Sequence, residues 1–142
     1  AVIYESIFIK GVRKTKKDNS KILMILGFIG VVLLIILNFY FNINSIYASV
    51  IIFLFSGIII LMKRKDLIKN ALYSGILISL IMLLFYILYI KIFPMIIQDW
   101  WKLENLSGIN IFEVPIEEIL WGFAWGFFIG PVYEFWKGLK LK

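Results

Sequence analysis

The sequence predicts an all-α integral membrane protein with four transmembrane helices, at about 22–41, 46–62, 71–93 and 115–136, and with both termini cytoplasmic. Three observations predict it. The chain is apolar: 62% of its 142 residues are hydrophobic and only 17% are charged, where a soluble domain has about half and a quarter. Its uncharged runs approach the roughly 20 residues that cross a bilayer as a helix. Lys and Arg crowd onto alternate connections between those runs, as the positive-inside rule requires.

Ala1–Ile9 is too short to span. Val2, Ile3, Ile7 and Phe8 give it the apolar face of an interfacial helix, or it is the end of a truncated spanning helix. Its basic residues follow the apolar run, so it does not read as a signal peptide. Lys10–Lys21 carries six basic residues against Asp18 alone and reads as a cytoplasmic anchor.

The run 22–41 is free of charge for 20 residues. At about 1.5 Å per residue that is one hydrocarbon thickness. The connection 42–45 (Asn-Ile-Asn-Ser) is uncharged and short, and 46–62 is a second run. Lys63, Arg64, Lys65 and Lys69 close it. The third run begins at Ala71; Lys91 can snorkel from its end, and Pro94 stops the helix soon after. The connection 98–114 is polar, with Trp100 and Trp101 fitting an aromatic belt. Pro115 suits a first helical position. Connections 10–21, 63–69 and 137–142 hold 13 of the 15 basic residues, all on one face of a four-span bundle. The net charge of +6 therefore reads as topology, with membrane lipid the partner and no nucleic acid expected. The length allows one membrane domain, 1–142, multi-pass in the cell membrane.

The last span is the unusual one. Phe112–Trp136 holds four of the nine acids (Glu113, Glu117, Glu118, Glu134) and three of the five tryptophans. Acids in a span face the bundle interior and mark function more often than not. A carboxylic acid kept neutral by an apolar site is a proton donor. Glu117 and Glu118 point about 100° apart on a helix. They also fall in its first turn, where the helix dipole favours anions, so residue physics leaves a structural and a catalytic use open. Gly122, Gly126 and Gly130 recur every four residues, the spacing that lets a second helix approach closely. Trp121 and Trp125 are one turn apart and could face a cation. Pro131 should kink or end the helix and redirect Tyr133, Glu134 and Trp136.

The absences narrow the chemistry. The chain has no histidine and no cysteine, so acid–base work falls to carboxylate, tyrosine or lysine. No glycine-rich nucleotide motif and no nucleophile with a base is present, so neither a cofactor nor a metal is expected.

Trp100–Trp101, Leu106-Ser107-Gly108-Ile109, Val114-Pro115-Ile116-Glu117-Glu118, Trp121 and Tyr133-Glu134 together resemble the lycopene cyclase domain, the membrane-embedded, heterodimer-type family. The resemblance covers about residues 100–137. It implies a cofactor-free isomerisation in which a carboxylic acid protonates the end of a linear carotenoid, the carbocation closes a ring, and a base removes a proton. Motif position implies that Glu117 and Glu118 carry the proton transfers, without ordering them, and that Glu134, Trp121, Trp125 and Tyr133 support them. The substrate implied is a carotenoid or other isoprenoid. Family enzymes combine two such domains, so the single motif implies a second copy or a homologous half-domain as partner. Membrane prenyl-endopeptidases also use a Glu-Glu pair, but they add histidines and an Arg where Gly122 stands here. The alternative is a non-catalytic helical subunit that packs on a partner through the Gly122/Gly126/Gly130 stripe.

Overall fold

In a computed structural model of the chain, residues 12–14 and 19–141 are described. The expected interfacial helix at 1–9 and most of the basic segment before Asn19 lie outside them.

The described chain is mostly helical. A short strand β1 (Val12–Lys14) precedes α1 (Ser20–Ile35), whose last turn widens into a π-helical segment, Ile36–Tyr40. Helix α2 (Ser45–Lys63) returns, and a 3₁₀ turn at Lys65–Leu67 leads into α3 (Ile68–Ile92). Next come the short α4 (Ile96–Trp100) and a two-stranded hairpin, β2 (Asn110–Ile111) with β3 (Val114–Pro115). Helix α5 (Ile116–Ile129), α6 (Val132–Lys137) and β4 (Leu139–Leu141) end the chain. Strand β4 pairs antiparallel with β1.

Three helical stretches are long and apolar enough to cross a membrane: Ser20–Tyr40, Ser45–Lys63 and Lys65–Ile92. They match the first three expected spans, although the third begins before Ala71. The expected fourth span, 115–136, is two helices, broken where Pro131 is expected to kink or end it. Pro131 lacks the N–H that would continue the ladder, and it serves as the N-cap of α6. Helix α5 has 14 residues, fewer than a span needs. Pro115 is the N-cap of α5, one residue before its expected place. The mostly helical fold is as expected, and two small antiparallel ladders accompany the helices.

The helices run alternately between two ends of the bundle. At one end, the Asn19 side chain donates to the Phe135 carbonyl at 2.7 Å, and Arg64 bonds both Asp66 and the Leu139 carbonyl. A cluster of Leu26, Ile60, Leu67 and Phe135 fills that end. At the other, Asn44 caps α2 by accepting from the Ile46 N–H at 3.1 Å, while its amide donates to the Asn105 carbonyl at 3.2 Å. Asn44→Ala removes both bonds. It should lower stability by about 1 kcal/mol, measurable by denaturant unfolding in detergent.

Helix α5 lies against α2 on one side and α3 on the other, while α1 packs mainly on α2. The α3 contact is close because glycine makes it so. A Cβ on Gly126 would stand 2.5 Å from the Ser74 carbonyl oxygen, and one on Gly122 would stand 2.9 Å from Met82 Cγ. Large side chains on the outer faces of α1, α2 and α3 are exposed, among them Phe28, Phe55 and Leu84. Helices mainly apolar outward and closely packed inward suit a hydrocarbon solvent.

Candidate active site

The site end of the bundle is built over the first turn of α5. The segment 101–115 crosses it as a cover. Gly108 takes φ 77°, a conformation that glycine adopts without strain. The β2–β3 hairpin then turns on Phe112 and Glu113, with φ values of 52° and 67°. Two successive left-handed residues make a type I′ turn, which ordinarily prefers Asn-Gly. Phe112 stands exposed at its tip.

Beneath this cover Glu117 and Glu118 are 2% and 5% exposed. Oε1 of Glu117 accepts two hydrogen bonds, from the Tyr47 hydroxyl of α2 at 2.6 Å and from the Ser107 backbone N–H at 2.6 Å. Its other oxygen, Oε2, is buried with no hydrogen-bond partner among the described residues. Oε2 of Glu118 accepts one bond, from the Tyr86 hydroxyl of α3, at 2.8 Å. Adjacent in sequence, the two carboxyls thus turn to opposite neighbours. Each is oriented by a phenol from a different helix.

One and two turns along α5, the rings of Trp121 and Trp125 stack with centroids 6.1 Å apart, and Phe53 of α2 meets both edge-on. On the α3 side an apolar cleft of about 220 Å³ is walled by Met82, Phe85, Tyr86, Tyr89, Trp100 and Trp101. No charged side chain lines it among the described residues. A second cavity of about 450 Å³ lies under the hairpin, with Gln98, Asn110 and Glu113 in its wall.

Glu117, Glu118, Trp121 and Trp125 therefore come together. Tyr133 and Glu134 do not join them, because α5 carries them to the opposite end, about 20 Å along the axis at 1.5 Å per residue. There Glu134 is fully buried within electrostatic reach of Arg64, and Tyr133 is exposed. Gly122, Gly126 and Gly130 face Met82, Ser79, Ser74 and Gly75 of α3. The stripe is filled by this chain's own helix, so a partner could use it only by displacing α3.

The sequence gives Tyr47 and Tyr86 no special place, and Ser107 enters only as part of the family-like motif. Tyrosines are common in spans, and nothing in their spacing announces a carboxylate 70 or 32 residues away. The available signal was positional: Tyr47 follows the α2 cap, at the end of the bundle where α5 begins.

A family model described as lycopene cyclase matches residues 44–136. No curated protein and no solved structure matches the chain. The match starts at the α2 cap and includes α2 and α3, well beyond the segment 100–137.

Proposed function

The chain belongs to the lycopene cyclase family, and from that premise we propose that it cyclises the end group of a linear carotenoid by proton transfers at Glu117 and Glu118. The observation that carries this reading is the pair of adjacent buried carboxyls, each held by a phenol, beside an aromatic cleft that lacks charge.

The chemistry is an isomerisation and needs no atoms from outside. A carboxyl O–H breaks, and its proton forms a C–H bond at the terminal double bond of the polyene. The π electrons lost leave a tertiary cation, which a neighbouring double bond attacks to close the ring. A carboxylate then takes a proton from a ring carbon, and that C–H pair becomes the ring double bond. Dry surroundings serve both halves, because water would capture the cation. Stacked indoles such as Trp121 and Trp125 can stabilise a nearby cation by about 0.5–2 kcal/mol.

We place the chain in the cytoplasmic membrane, with α5 and α6 together as a fourth crossing and both termini inside. The 13 basic residues on alternate connections support this. So does the β1–β4 pairing, which holds residues 12–14 beside residues 139–141. A second copy or a homologous half-domain is the proposed partner.

The test is expression in cells that accumulate lycopene, followed by chromatography of the pigments. Ring-bearing product is expected, from the chain alone or together with a homologous half-domain. Unchanged lycopene in both cases overturns the reading.

A further inference from the structure

Tyr86 is the side chain that joins the aromatic cleft to the carboxyl pair. Its ring forms part of the cleft wall, and its hydroxyl donates to Glu118 Oε2. Glu117 has no such connection. Both donors to it come from elsewhere, Tyr47 on α2 and the backbone of Ser107, and neither residue lines the cleft.

Resting on the cyclase reading, we infer that Glu118 is the proton-donating member of the pair and that Tyr86 is its positioning residue, directing it toward a polyene end group lodged in the cleft. The inference follows from where hydrogens can sit. The Tyr86 hydroxyl already donates to Oε2, so a proton on the Glu118 carboxyl resides on Oε1, the oxygen free to deliver it. When that proton leaves, the Tyr86 bond remains on the carboxylate just formed. A hydrogen bond that strengthens as charge develops favours the transition state over the ground state. Glu117 is pinned at Oε1 by two donors and offers the unpartnered Oε2. The step balances: one O–H bond breaks and one C–H bond forms at Glu118, and the ring carbon's C–H bond later breaks as an O–H bond forms on a carboxylate of the pair.

The cleft also defines what can be bound there. Its wall carries two tryptophans, two tyrosines and a phenylalanine with no charge, which suits an unsubstituted hydrocarbon end group and disfavours one bearing a polar head.

Tyr86→Phe keeps the ring that walls the cleft and removes the hydroxyl. In membranes supplied with lycopene, kcat should fall about 10- to 100-fold, the loss expected for one hydrogen bond to a charged group. KM should stay within about twofold, since binding area is retained. Infrared difference spectra give a second readout that needs no turnover. The carboxyl bands are assigned by their disappearance in Glu118→Gln and Glu117→Gln. Tyr86→Phe should shift the Glu118 band and leave the Glu117 band in place. A parent-like kcat, an unmoved Glu118 band, or a rise in KM that accounts for the lost kcat/KM each overturns the positioning role. An inactive parent sinks the cyclase reading and the donor role with it, while the bands still decide whether Tyr86 holds Glu118.

Discussion

Glu118→Gln should abolish ring formation, lowering turnover by at least about 100-fold, the lower range for loss of a general acid. Glutamine keeps the size and the acceptor oxygen that Tyr86 uses, so the cover and cleft should survive. What it lacks is the transferable proton. Glu117→Gln should also lower turnover, but with a different accompaniment. Its amide oxygen can still accept from Tyr47 and Ser107, and its NH₂ then occupies the place of Oε2. That place is buried and has no hydrogen-bond partner among the described residues. A buried unpaired donor costs about 1–3 kcal/mol, so Glu117→Gln should also unfold more easily in detergent, whereas Glu118→Gln should unfold nearly as the parent does. Turnover and denaturation measured on the same preparations separate the two. Parent-like cyclisation by both variants would make the pair a structural feature of the α5 start and nothing more.

The contrast between the two carboxyls was not legible in the sequence, although the pair itself was. Adjacent acids after a proline, at the start of an otherwise apolar run, are a local pattern. Their partners are not: Tyr47, Tyr86 and Ser107 are brought in by three different elements, and only packing decides which carboxyl each reaches. The same division holds for the fold. Spans 22–41 and 46–62 were legible because unbroken hydrophobicity of bilayer length has few other uses. The start of α3 was placed late because Lys69 and Asn70 read as connection. Yet Asn70 is buried and its amide donates to the Gly130 carbonyl, a use that exists only once α5 is alongside. The hairpin at 110–115 escaped notice because Phe112-Glu113 lacks the residues a type I′ turn favours. Sequence proximity and motif group Tyr133 and Glu134 with Glu117. A helix puts distance where the sequence shows nearness, and the break at Pro131 adds a change of direction.

The second large effect lies in the glycine stripe, where Gly126 and Gly122 should not respond alike. A Cβ at Gly126 would meet the Ser74 carbonyl oxygen at 2.5 Å, and Gly75 Cα and the Ser74 carbonyl carbon at 2.9 Å. All three are backbone, so no rotamer change relieves the clash and α3 must move away from α5. Overpacking a core costs about 1–3 kcal/mol where side chains can adjust; Gly126→Ala should reach or exceed the top of that range. At Gly122 the nearest atom is Met82 Cγ at 2.9 Å, and methionine repacks readily. Gly122→Ala should therefore cost about 1 kcal/mol or less. Unfolding of the two variants in the same detergent gives the comparison, and equal stability would contradict the close α3–α5 approach. The consequence extends to the chemistry, because Tyr86 rides on α3 and Glu118 on α5. Separating those helices stretches the 2.8 Å bond between them. Gly126→Ala should thus depress turnover in the fraction that still folds, while Gly122→Ala largely retains it. In a chain whose stripe served a partner instead, substitution would alter assembly and leave the Tyr86–Glu118 bond untouched.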